Sequence, residues 1–119
     1  SCGIFQDQDI LYWKDVGYRG LFFDLSEEKR RHFVSGTLKA LADAPGSMDL
    51  VNTLRCYLDQ NCNIVHTAQM MFLHKNTLNY RLNRIRELLG KNPNDPDTRI
   101  NLRMALDIML IFPEEHYFS

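Results

Sequence analysis

HKNTLNYRLNRIRELLG, residues 74–90, is the stretch on which the fold of this chain turns. With Leu78 set at zero and 100° per residue, Leu82, Ile85 and Leu89 fall within about 40° of it, so one face is a continuous apolar stripe. Opposite it lie Asn76, Asn79, Tyr80, Asn83 and Arg84, with Lys75, Thr77 and Arg81 towards the flanks. The pattern predicts an amphipathic helix from Asn76 to Leu89, ended by Gly90 at its C-terminal cap. Asparagine is a mediocre helix former, so helix propensity does not account for three of them on the exposed side. Asn, Arg, Thr and Tyr are the side chains that hydrogen-bond base edges and phosphates.

Working outward, IVHTAQMMFL (residues 64–73) predicts a shorter helix in which Ile64, Ala68, Met71 and Phe72 share a face. Asn61 and Asn63 suit the turn and cap before it, and only three or four residues around His74 separate it from the long helix. That is the spacing of a helix-turn-helix. Before it, DLVNTLRCYLDQN places Leu50, Leu54, Tyr57 and Leu58 at helical intervals. After it, the polar loop NPNDPD leads to Asp95 and Pro96, which can start a last helix running to about Phe112. In that helix Leu102, Ala105, Leu106 and Met109 form a stripe suited to packing against the first helix of the motif domain. Ile108, Leu110, Ile111 and Phe112 make it apolar nearly all round. Such a helix needs burial on more than one side, and a homodimer contact is one way to supply it.

Towards the N-terminus, GLFFDL (residues 20–25) reads as a buried strand and EEKRRHFVSGTLKALAD as a helix capped by Ser26, with Phe33, Leu38 and Leu41 as its apolar stripe. One strand cannot fold alone, so this part is expected to be the end of an upstream domain. The breaker APGSMD marks the boundary. The expected organisation is mainly α: residues 1–45 a strand-helix tail of an upstream domain, 46–112 a helix-turn-helix DNA-binding domain, and 113–119 a C-terminal tail.

A chain of 119 residues with 45% hydrophobic content and 11% aromatics can bury a core of its own. Its best apolar run, MALDIMLIF, is too short for a membrane span and is interrupted by Asp107, and no signal-peptide pattern opens the chain, so a cytoplasmic protein without membrane contact is expected. Cys2, Cys56 and Cys62 show no paired spacing, and the four histidines form no ligand pattern, so neither disulfide, metal nor cofactor is expected. Cys62 is expected to pack, and His66 to lie on the surface. No nucleophile, base and orienter stand at recognisable spacing and no glycine-rich phosphate loop is present, which argues against an enzyme. The net charge of -1 hides an asymmetry: residues 60–91 carry five basic groups against one acidic, while the rest is -5. A local positive face suffices to attract phosphate, because charges are screened over about 10 Å.

With those residues in place, the segment NIVHTAQMMFLHKNTLNYRLNRIRELLG resembles the C-terminal helix-turn-helix of PucR/CdaR-type bacterial transcriptional regulators. The resemblance rests on Asn63, Thr67, Ala68, His74, Lys75, Asn76, Thr77, Leu78, Tyr80, Arg81, Leu82, Ile85 and Gly90, without a gap. It extends from about residue 46 to 112. Val65 departs from the small polar residue common there, and Met70 and Met71 replace alanine and leucine, a change expected to repack the core without altering the fold. More distantly the motif is similar to that of the Fis nucleoid protein, which points to His74, Lys75, Thr77, Asn79, Tyr80 and Arg84 as DNA contacts.

The resemblance implies a DNA-binding output domain whose partner is double-stranded DNA, with any small-molecule effector sensed by an upstream domain. From geometry, Asn79 and Tyr80 are expected to face base edges, with Lys75, Asn76 and Thr77 near them and His74 at the helix start. Arg84 is assigned to phosphate, and Asn63 and Thr67 to anchoring the DNA backbone at the start of the first motif helix. Arg81 is left between a phosphate contact and an ion pair with Asp59 or an acid of the last helix. The competing reading is a helical dimerisation or interaction module that keeps the same shape without touching DNA.

Overall fold

A computed structural model describes residues 17–118 as a helical assembly. A 3-10 helix, Gly17–Asp24, precedes five α-helices: α1 Glu27–Ala42, α2 Ser47–Asp59, α3 Ile64–Met71, α4 Lys75–Leu89 and α5 Pro96–Ile111. Cys2 and the opening of the expected upstream segment lie outside the described residues.

Each helix starts and stops where local chemistry directs. Ser26 caps α1 by accepting the Lys29 amide at 3.1 Å, with Glu27 and Glu28 at the positive end of the helix dipole. Gly46, at φ 73, turns the chain into α2, and Gly90, at φ 68, closes α4 in the left-handed conformation glycine adopts most easily. Pro96 opens α5 directly after Asp95, whose side chain makes no cap bond.

The apolar stripes converge on one core. Val34, Leu38 and Leu41 of α1, Leu50, Leu54, Tyr57 and Leu58 of α2, Leu78, Leu82 and Ile85 of α4, and Leu102, Ala105, Leu106 and Ile108 of α5 are buried together. Helix α1 packs against α2, α4 and α5, so the core runs continuously across residue 45. Cys62 packs against the same core as expected. Met70 and Met71 depart from expectation. Met70 is 49% exposed, and neither belongs to the core cluster, so these substitutions leave the core alone.

The expected strand at residues 20–25 is instead part of the 3-10 helix. Only Gly20 and Phe22 are buried there, while Leu21 and Phe23 are largely exposed. A lone strand would leave its backbone groups unpaired, whereas a 3-10 turn satisfies many of them internally. Arg30 takes two of the remaining carbonyls: its Nη1 donates to Phe22 O at 3.1 Å and Leu25 O at 2.5 Å. The same guanidinium pairs with the Glu115 carboxylate and lies 3.9 Å from the centre of the Phe112 ring. One buried arginine therefore fastens the N-terminal turn, α1 and the chain after α5.

A second polar cluster joins the 3-10 helix to α5 and α5 to α2. The Tyr18 hydroxyl donates to buried Asp107, which also accepts from Arg19 Nε at 3.1 Å, while Arg103 donates to Asp59 at 2.5 Å. Helix α5 is thus covered by the 3-10 helix, α1, α2 and the tail, where Tyr117 is buried and donates to Phe112 O at 2.6 Å. The burial its apolar circumference demands is largely met within the monomer. Among the described residues no helix is long and apolar enough to cross a membrane.

Two outcomes follow for stability. Arg30→Met deprives Glu115, Leu25 O and Phe22 O of the guanidinium, leaving Phe22 O only the Leu25 amide, and lowers the free energy of unfolding by about 3 kcal/mol in urea denaturation, and Arg30→Lys recovers little because an ammonium cannot span all three acceptors. At high pH, burial is the chief cause raising the phenol pKa of Tyr18, Tyr57 and Tyr117; Tyr18, helped by Asp107, is pushed up to about 12 from 10.0. The folded chain holds these protons more tightly than the unfolded one, so their contribution is intact below about pH 10 and lost as pH rises towards 12. Thermal melts across that window fall in midpoint, and Tyr18→Phe makes the fall shallower.

Candidate nucleic-acid interface

Helices α3 and α4 meet through a short turn at residues 72–74, with α2 packed against both. Asn63 caps α3: its Oδ1 accepts the His66 amide at 2.9 Å. His74 caps α4 in the same way, its Nδ1 accepting the Asn76 amide at 3.0 Å. That bond uses the imidazole as an acceptor on one nitrogen and leaves the other free to donate outward. The helix begins at Lys75, one residue before the sequence expectation.

Burial of Leu78, Leu82 and Ile85, each at 1% exposure or less, fixes the rotation of α4 about its axis. The sector turned to solvent centres on Tyr80, 72% exposed, with Asn76, Thr77 and Asn83 exposed around it. Lys75 and His74 are exposed at the helix start, Asn79 and Arg84 are half-buried at the sector's edges, and Asn63 and His66 are exposed at the start of α3. From Asn76 to Arg84 the helix rises about 12 Å, close to the width of the DNA major groove. The structure thus gathers His74, Lys75, Asn76, Thr77, Asn79, Tyr80 and Arg84 on one open surface. Arg84 keeps only a long 4.0 Å approach to Glu87, and Arg86 bonds Asn83 at 2.7 Å.

Two expected site residues are placed elsewhere. Thr67 is fully buried, and its hydroxyl donates to Asn63 O at 2.7 Å, so it cannot reach a phosphate. Within the first turn of α3 the hydroxyl bonds back to the carbonyl four residues earlier, which also accepts the Thr67 amide at 3.0 Å. Arg81 is half-buried, and its Nη1 donates to Thr53 Oγ1 of α2 at 3.3 Å rather than to a carboxylate. Asp59 is engaged by Arg103 instead. Thr53 is itself buried and donates to Asp49 O at 2.7 Å, so Arg81 ties the long helix to α2. Sequence reasoning missed this tie because a threonine on an apolar helix face gives no sign of accepting from a guanidinium.

Residues 50–108 match the PucR C-terminal helix-turn-helix domain. The purine catabolism regulatory protein of Bacillus subtilis is 41% identical over 83 residues, covering 69% of this chain and 16% of that protein. The proline-responsive transcriptional activator PutR of the same organism is 37% identical over 91 residues, covering 72% of this chain and 22% of the relative. The carbohydrate diacid regulator of Escherichia coli is 41% identical over 59 residues, 50% of this chain and 15% of that protein. The chain therefore spans less than a quarter of the length of these relatives. No solved structure matches it.

The two caps can be separated from whatever the surface binds. His74→Ala is expected to lower unfolding free energy by about 1 kcal/mol through loss of the acceptor for the Asn76 amide, and His74→Ser to restore most of it, measured by urea denaturation without any ligand.

Proposed function

The chain carries a domain of the PucR C-terminal helix-turn-helix family, and on that premise we propose that α4 lies with its first turns in the DNA major groove and reads sequence there. The observation that carries the reading is the open sector of α4, where Asn76, Thr77 and Tyr80 stand exposed on a helix whose rotation the buried stripe has fixed. Solvent alone asks nothing of such a surface beyond polarity. The local excess of positive charge in residues 60–91 supports it.

In this reading Asn79 and Tyr80 face base edges, Lys75, Asn76 and Thr77 flank them, and Arg84 touches phosphate. His74 both caps the helix and offers its second nitrogen to the DNA backbone. Asn63 presents the capped start of α3, with its exposed neighbour His66, to the same strand. The chain acts in the cytoplasm as the output end of a longer transcriptional regulator, and a small-molecule effector acts through a domain outside the chain. A homodimer brings two α4 helices to half-sites one helical turn apart, with exposed Ile100 on α5 as the apolar contact available for it.

Titration of labelled duplex DNA at two salt concentrations tests the core of the proposal: affinity is expected to fall steeply with salt, and absence of binding, or binding indifferent to salt, would sink it. Asn79→Ala and Tyr80→Ala are expected to change which sequences a random duplex pool yields, whereas Arg84→Ala weakens all duplexes alike. Equal losses on selected and random DNA for all three would contradict the assigned roles.

A further inference from the structure

Phe72 was expected to join Ile64, Ala68 and Met71 on the buried face of α3, yet it is 95% exposed and sits at φ 55, ψ 42. The backbone reason for that conformation is plain. The Leu73 amide donates to Ala68 O at 3.0 Å and the Phe72 amide to Gln69 O at 3.3 Å, a left-handed helix ending of the kind glycine normally closes. The other end of the same motif does use glycine, Gly90 at φ 68. A bulky residue with positive φ is a conformational outlier, and an exposed phenyl ring recovers nothing from the core. Asn61 and Cys62, which also have positive φ, differ in this respect: asparagine tolerates the conformation, and Cys62 packs against the core. The folded chain therefore carries strain and exposed apolar surface at Phe72 without an internal return.

The position of the ring indicates what uses it. Phe72 lies two residues before His74 and three before Lys75, in the turn that opens α4, while Val65, 56% exposed, stands between Asn63 and His66 at the start of α3. The ring thus stands beside the capped start of α4, within residues 60–91, which carry five basic groups against one acidic. We infer that Phe72 is a DNA-contacting residue, its ring packing on the apolar edge of the groove, either a thymine methyl or a deoxyribose face, as α4 enters. This rests on the proposed DNA-binding function and extends it: the groove is met by an apolar contact as well as by polar and charged ones.

The contact has a signature that a charged contact lacks. Counterion release depends on phosphates neutralised, so loss of the ring lowers affinity without changing the slope of log affinity against log salt, whereas Arg84→Ala lowers the slope by about 1. The experiment uses the whole chain, with a duplex selected from a random pool by the unsubstituted protein and the same duplex carrying deoxyuridine for thymidine. Phe72→Gly is expected to melt at or above the unsubstituted chain and to bind about tenfold more weakly at unchanged salt slope. Phe72→Asn, which tolerates the left-handed backbone, is expected to show the same loss, excluding glycine flexibility as its cause. If deoxyuridine weakens the unsubstituted protein but leaves Phe72→Gly unaffected, the contact is a thymine methyl. If it affects neither, the contact is deoxyribose. Full affinity in both variants would overturn the inference while leaving the DNA-binding function intact, and would assign the ring to a protein partner. A lower melting temperature for Phe72→Gly would overturn it by showing that the fold itself holds the ring. Failure of the unsubstituted chain to bind any duplex would remove the function and the inference together.

Discussion

Burial of Leu78, Leu82 and Ile85 is the constraint on which the rest of this structure depends. Each side chain contributes roughly 1.5–3 kcal/mol on leaving water, and together they allow α4 one rotation about its axis. That rotation turns Tyr80 and the asparagine-bearing sector outward and brings Arg81 against Thr53. Helices α1, α2 and α3 supply the other side of the contact, so the open polar face of α4 is a by-product of core packing. A helix held in this way presents its polar side chains without having to order them on binding.

The polar interior has a different role. Arg30 with Glu115, and Tyr18, Arg19 and Asp107 with their neighbours Arg103 and Asp59, join segments far apart in the sequence. Both clusters lie around α5 and the 3-10 turn; the first joins that turn and α1 to the chain after α5, the second joins the turn to α5 itself and α5 to α2. Buried ion pairs of this kind add little net stability compared with apolar packing, but removal of one partner is expensive, which makes them effective at specifying a single arrangement. They hold the N-terminal turn against the helix-turn-helix core, so a displacement of that turn would be felt at α5.

The motif itself is built with economy of position. Asn63 and His74 start the two helices with side-chain acceptors and remain exposed, while Thr67, between them, is withdrawn entirely into the turn. The same short segment therefore mixes residues that shape the surface with residues that form it, and Phe72 belongs to the second group despite its apolar character.

Much of this was legible in the sequence. The 3.6-residue spacing of leucines and isoleucines, the caps at Ser26 and Asn63, Pro96 at a helix start, and the glycines at 46 and 90 placed all five helices, with some ends one or two residues off, because these signals act between residues a turn apart and need no knowledge of the rest of the chain. The exposed sector of α4 followed from the same periodicity. What periodicity could not decide was the fate of residues whose partners are remote. GLFFDL had strand-like composition, but its backbone groups found Arg30 and a 3-10 turn. Thr67 looked like a phosphate contact until burial removed it, and Arg81 found Thr53, 28 positions away. Phe72 fitted an apolar stripe until the turn into α4 reversed its direction. Local spacing sets helices and faces; which side chain is covered, and by what, is fixed only when elements distant in sequence close on one another.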